Sequence, residues 1–181
     1  MLVVLLNSSN YISGVYCQCL EDQKDLLLKF KNNLTFDSSL STKLVRWDQK
    51  TNCCLWPGIS CDQEGHVLIL ELDNEAITSG VDNSSSPFDL QHLEKLNLVY
   101  NDLNIVQLPT EIYKLANLTY LNLLNAGFAG LRVQNLKALV KNLANLKELC
   151  LDAVNISLKG SEWCSALSSS LPQLTVLSIS S

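Results

Sequence analysis

Five stretches of this chain can be laid over one another. "LELDNEAI" from Leu70, "LNLVYNDL" from Leu96, "LNLLNAGF" from Leu121, "LCLDAVNI" from Leu149 and "LSIS" from Leu177 begin 26, 25, 28 and 28 residues apart. Ahead of the last four starts the frame extends backwards as "LQHLEKL", "LANLTYL", "LANLKEL" and "LPQLTVL". Self-similarity at this period is the mark of a leucine-rich repeat, in which each LxxLxL segment forms one short strand and the rest of the unit returns behind it. A single unit cannot bury its own apolar side, so neighbours stack and their strands make a parallel sheet along a concave face. An amphipathic helix would need a 3.6-residue period sustained over longer segments. The expected fold is therefore an α/β solenoid, a leucine-rich-repeat horseshoe, with every repeated leucine in its core.

The residues between those leucines point the other way, because successive side chains of a strand alternate. In chain order they are Glu71 and Asp73; Lys95, Asn97 and Tyr100; Tyr120, Asn122 and Asn125; then Lys147, Cys150 and Asp152. Charges, amides and two tyrosines suit adaptable binding of a peptide or protein and present no nucleophile–base pair. No nucleophile elbow, phosphate loop or metal-ligand spacing occurs elsewhere, so neither an enzyme nor a cofactor is expected. The net charge is −5 and the 13 Lys and Arg are scattered. That argues against nucleic acid, whose phosphates demand a basic stripe.

Ahead of the repeats, "CLEDQKDLLLKFKNNL" begins with acidic Glu21 and Asp22 and places Leu26, Leu27, Phe30 and Leu34 at helical spacing. Trp47 and Trp56 then supply large apolar area. A stacked array exposes the core of its first unit unless something covers it, and this segment is suited to be the cover. Five of the 7 cysteines, Cys17, Cys19, Cys53, Cys54 and Cys61, lie in this part of the chain. In an oxidising compartment they read as a local disulfide clamp. Zinc is the alternative, disfavoured because there is no CxxC pair and His66 and His92 fall at no recognisable ligand spacing. Sequons at Asn33, Asn83, Asn117 and Asn155 are compatible with secretion. Met1 to Leu6 is apolar, lacks a basic residue and is too short to span a bilayer. It reads as a clipped or weak signal peptide, with a disordered start or partly buried strand as the alternatives. No other stretch approaches transmembrane length.

The succession of Cys19, helix, "LVRW", the Cys53–Cys54 doublet, "WPGISC" and "GHVLILEL" resembles the N-terminal cap of plant leucine-rich-repeat receptors. "LDNEAITSGVDNSSSPF", "LQHLEKLNLVYND", "NLTYLNLLNAGF" and "EWCSALSSSLPQLTVLS" are similar to receptor-like proteins of the Verticillium-wilt-resistance type. The resemblance implies bonds from Cys19 to Cys53 and from Cys54 to Cys61, contributing about 4 and 2.5 kcal/mol by loop entropy. It implies a signal peptide remnant at 1–18, a cap at 19–63, and at 64–181 about four repeats plus the strand of a fifth. It further implies the N-terminal part of the recognition domain of a cell-surface immune receptor, at the extracellular side of the plasma membrane. There a peptide or protein ligand would lie on the concave face and co-receptor kinases would signal. A soluble apoplastic binder resembling the polygalacturonase inhibitors is the other reading.

Departures from the pattern carry expectations of their own. The repeat asparagine is kept at Asn101 but replaced by Glu75, Ala126 and Val154, which predicts a thin internal ladder. Cys17 falls in the leader, Cys150 is expected as an unpaired surface thiol, and the partner of Cys164 should lie past Ser181. The chain stops inside the fifth strand, as an amino-terminal fragment or a truncated gene product would.

Overall fold

The strand leucines stand in one register. In a computed structural model that describes residues 17–82, 84, 86–103, 109–124, 126, 131–132, 142–152, 154–155, 165 and 167–180, Leu70 pairs with Leu96, Leu96 with Leu121, Leu121 with Leu149 and Leu149 with Leu177. The strands are β1 (Thr35–Phe36), β2 (Ile59–Cys61), β3 (Val67–Glu71), β4 (Ile77–Ser79), β5 (Lys95–Asn97), β6 (Tyr120–Leu123), β7 (Leu131–Arg132), β8 (Glu148–Asp152), β9 (Val154–Asn155) and β10 (Val176–Ser180). The main sheet runs β10-β8-β6-β5-β3-β2, parallel throughout except where β2 meets β3. Two-stranded pairs, β1 with β4 and β7 with β9, lie outside that sheet. Residues 1–16 of the expected leader, Cys164, Asn83 and Asn125 fall outside the described residues, as do the side chains of Asp152, Val154 and Asn155.

Burial follows position in the stack. Leu70, Leu96, Leu121 and Leu149 are at most 1% exposed, whereas Leu177, on a strand with a neighbour on one side only, is 41% exposed. Each fully covered leucine contributes about 1.5–3 kcal/mol relative to an exposed one.

The other end of the sheet is closed by the cap. Helix α1 (Glu21–Asn33) has Glu21 and Asp22 in its first turn, where the helix dipole favours negative charge. It buries Gln23, Leu27 and Phe30, with Leu34 completing the stripe and Leu26 half-buried on its flank. Gln23 is a polar member of an otherwise apolar face, and its Oε1 accepts the backbone N–H of Val67, at the start of β3, at 2.6 Å. Trp47 and Trp56 are each 3% exposed and stack with centroids 5.3 Å apart. Their indole N–H groups donate to the Pro57 carbonyl and the Thr51 hydroxyl, so neither ring is buried with an unmet donor. Gly58, at φ 82°, brings β2 against β3: its carbonyl accepts the Glu71 N–H at 2.8 Å, and a Cβ there would lie 2.2 Å from the Glu71 oxygen.

Cys19 is bonded to Cys53 and Cys54 to Cys61, each pair with Cα atoms 5.5 Å apart. The doublet therefore faces two ways, one sulfur pinning the entrance to α1 and the other pinning β2. Asn52 consolidates the junction, its Oδ1 accepting from the N–H groups of Cys19 and Cys54.

Glu75 closes the joint between cap and repeats. Its position belongs to the repeat asparagine, yet its fully buried carboxylate turns outward to the cap. It accepts from the backbone N–H groups of Thr42, Lys43 and Leu44 at 3.0–3.3 Å and from the hydroxyls of Ser41 and Thr42. These amides open the short 3-10 turn Leu44–Arg46, whose first N–H groups have no partner within the turn. Burial works to raise the Glu75 carboxyl, but the bonds from Ser41, Leu44, Lys43 and Thr42 outweigh it and hold it below its ordinary value of 4.5. One unit further, Asn101 Oδ1 accepts from the N–H groups of Glu75 and Ile77, both at 3.1 Å, while its Nδ2 donates to the carbonyls of Leu72 and Leu98. A thin ladder is thus joined to the cap by a carboxylate in place of an amide.

Two outcomes follow. Leu96→Ala is expected to lower unfolding free energy by about 2–5 kcal/mol, and Leu177→Ala by well under half as much, in denaturant titrations of the oxidised protein. Equal losses would contradict a shared interior. Glu75→Gln is expected to cost on the order of 1.5–3 kcal/mol at neutral pH, since its amide N–H would meet donors. Because the folded carboxyl lies below 4.5, its stabilisation is present above that pH and is lost as pH falls through the folded value. The gap between wild type and variant should therefore narrow on acidification; a pH-independent gap would show that the charge is unimportant.

Candidate functional site

The strand register sorts the outward side chains into rows. One row is Ile69, Lys95, Tyr120, Glu148 and Val176; the next is Glu71, Asn97, Asn122, Cys150 and Ser178. Lys147 does not belong to either. It is exposed one residue before Glu148, and Glu148 is the register partner of Tyr120. With period-two alternation counted from buried Leu149, the outward positions are 148 and 150, so Glu148 is the face residue the sequence reading passed over.

Lys95 is the centre of the face. Its Nζ lies 2.6 Å from Glu71 Oε1 and 4.7 Å from the centroid of the Tyr120 ring. The bond to Glu71 holds the ammonium above its ordinary range against the opposing pull of burial, with Tyr120 and Glu148 adding to the effect. The lysine is thus already engaged, and the group offered outward is an ion pair backed by an aromatic ring.

The amides serve the fold as well as the face. Asn97 Oδ1 accepts the Val99 N–H at 3.3 Å, and Asn122 Oδ1 accepts the Leu124 N–H at 3.0 Å, the same short turn in successive repeats. Asn122 Nδ2 donates to the Tyr120 hydroxyl at 3.0 Å. Asp73 is held 2.5 Å from Lys43 Nζ. Burial would raise its carboxyl, but the lysine's bond and charge win and hold it below the ordinary carboxylate range. That pair ties the first repeat to the cap.

Tyr100 differs from these. It is 57% exposed and sits at φ 57°, a left-handed conformation that a bulky side chain adopts at some cost. Asn74, 26 residues earlier, has φ 54°, so the conformation belongs to the repeat turn and the aromatic choice to this unit. Cys150, by contrast, is not the surface thiol expected of it: it is buried, 9% exposed. A strand flanks β8 on each side, and Asn122 and Ser178 stand at its own register, so its short side chain is recessed.

Off the face, Asn33 and Asn117 are exposed, and Asn117 Nδ2 donates to the Gln91 carbonyl at 2.9 Å. Asn145, at the same repeat position, donates to the Ala116 carbonyl at 3.0 Å. The two positions before these in the series are His92 and His66, whose rings lie together with Asp62 nearby. Those three side chains could hold a metal ion. Linear spacing hid them; the repeat offset of 26 residues would have found them.

A family model for the leucine-rich repeat N-terminal domain matches residues 20–62. Among curated proteins, receptor-like protein 50 of Arabidopsis thaliana is 40% identical over 62% of this chain and 13% of its own length. Receptor-like protein EIX1 of Solanum lycopersicum is 34% identical over 99% of this chain, which spans 18% of that protein. The fold is similar to that of a chain in the BIR3–SERK2 complex of Arabidopsis thaliana, at 25% identity, a TM-score of 0.65, and coverage of 86% of this chain and 79% of that one. The narrower likeness to the Verticillium-wilt type is not established by these relatives. On its cap, its repeats and its relatives, the chain belongs among the plant leucine-rich-repeat receptor-like proteins.

Proposed function

We propose that this chain is the N-terminal part of the extracellular recognition domain of a plant cell-surface immune receptor, which binds a peptide or protein ligand on its concave face. The observation that carries the reading is the row Lys95, Tyr120 and Glu148, with Tyr100 exposed at its margin, on one continuous sheet. A backed ion pair and rigid aromatic rings are suited to peptide and protein surfaces, because little side-chain entropy is lost on contact. Glu71 supports Lys95, while Asp73, Asn97 and Asn122 maintain the fold around the contact. Asp152 extends the candidate surface along the fourth copy, two residues beyond Cys150 on the same strand.

On this reading residues 19–63 are the cap and 64–181 the repeats, without catalytic work of their own. Asn33 and Asn117, exposed, accept glycans together with Asn83 and Asn155, which is compatible with secretion to the cell surface or apoplast. Signalling is delegated to co-receptor kinases. The neighbour at 25% identity was solved in a BIR3–SERK2 complex, which supports a protein partner as the kind of ligand such a face meets.

A benzophenone amino acid at position 120 should form light-dependent adducts with peptides or proteins from the extracellular fluid of challenged plant tissue. The same probe at position 45, exposed on the cap, should not. Absence of adducts at 120, or equal yields at both positions, would contradict concave-face recognition.

A further inference from the structure

His66 and His92 each stand four residues before a strand leucine, Leu70 and Leu96, so stacking of the first two copies sets one ring upon the other. Their centroids are 3.8 Å apart and their planes differ by 15°. Asp62 enters from the hairpin that joins β2 to β3. Its Oδ1 accepts the His66 backbone N–H at 2.8 Å, and its Oδ2 lies 2.9 Å from His66 Nδ1. One ligand atom from each of the three residues falls within 4.8 Å of the others.

This arrangement fixes the chemistry of His66. With Nδ1–H donated to the carboxylate, Nε2 carries the lone pair and the ring cannot swing freely. A carboxylate that orients an imidazole in this way is the usual outer support of a histidine bound to a metal, and it raises the basicity of the ligating nitrogen. His92 is exposed, so its ring can turn edge-on toward an ion shared with His66 without disturbing the core.

We propose that His66 and His92 bind a borderline divalent transition-metal ion, with Asp62 as the residue that positions His66. Imidazole nitrogen suits zinc and copper(II), whereas magnesium and calcium prefer all-oxygen sites. Two protein ligands leave the remaining positions to water, which fits a site open to solvent. The ion would bridge the cap hairpin and the second copy from outside the core. The site is separate from the concave-face reading and stands or falls without it.

Zinc chloride titrated at about pH 7.5 into the oxidised chain, purified without a polyhistidine tag, tests this. The expected result is one ion per chain, with the ring nitrogen resonances of His66 and His92 shifting together and no response to magnesium. His92→Gln, an exposed change that leaves the fold intact, should remove the binding. Asp62→Asn should weaken it by about 10- to 100-fold. Failure of the wild type to bind zinc, or binding to His92→Gln as tight as to wild type, overturns the site. Unchanged affinity in Asp62→Asn overturns the positioning role.

Discussion

A carboxylate buried between two unlike pieces of chain governs how this molecule is closed. Glu75 takes three backbone N–H groups and two hydroxyls from the cap, and its own backbone N–H is held by Asn101. A charge so placed would be costly if its partners were removed, because burial opposes ionisation and only the surrounding donors overcome it. The donors in turn are the first amides of a short turn and have no partner within it. Each side thus satisfies the other, and the second copy, the first copy and the cap become one hydrogen-bonded series. The disulfides and the stacked tryptophans then keep water from the apolar end of the stack. Burial of the leucine row requires that closure, as a row open at its front would expose Leu70.

The leucine register was legible because it is periodic, and periodicity survives any uncertainty about the segments between. The cap helix was legible through the spacing of Leu27, Phe30 and Leu34. Gln23 was not, because a glutamine on an apolar helix face acquires its meaning only from Val67, a residue 44 positions away. Glu75 read as a missing asparagine, since the sequence shows what a position has lost and not what its side chain has found. Judged by charge Lys147 reads as a face residue, whereas alternation counted from buried Leu149 puts Glu148 there. His66 and His92 show no ligand pattern in linear spacing, but in a solenoid residues one repeat apart are neighbours, and their rings stack.

The outward face divides by what its side chains are already doing. Asp73 is committed to Lys43 and the turn amides to their own backbone, while Lys95 is shared between Glu71 and Tyr120. Tyr100 and Glu148 are the residues with fewer prior obligations among those described here. A surface built this way is rigid before contact, which lowers the entropy cost of binding and favours discrimination by shape and by the position of a few charges. The same rigidity means that most single substitutions on the face will report on packing as well as on recognition.

Native-state amide hydrogen exchange on the oxidised chain tests the closure most directly. If cap and first copies form one cooperative unit, the N–H groups of Lys43, Leu44, Val67 and Glu71 should exchange with a common opening free energy and lose protection together as denaturant is raised. Early exchange at Lys43 and Leu44 with protection retained at Val67 and Glu71 would show that the repeats stay closed without the cap, and the account would fail.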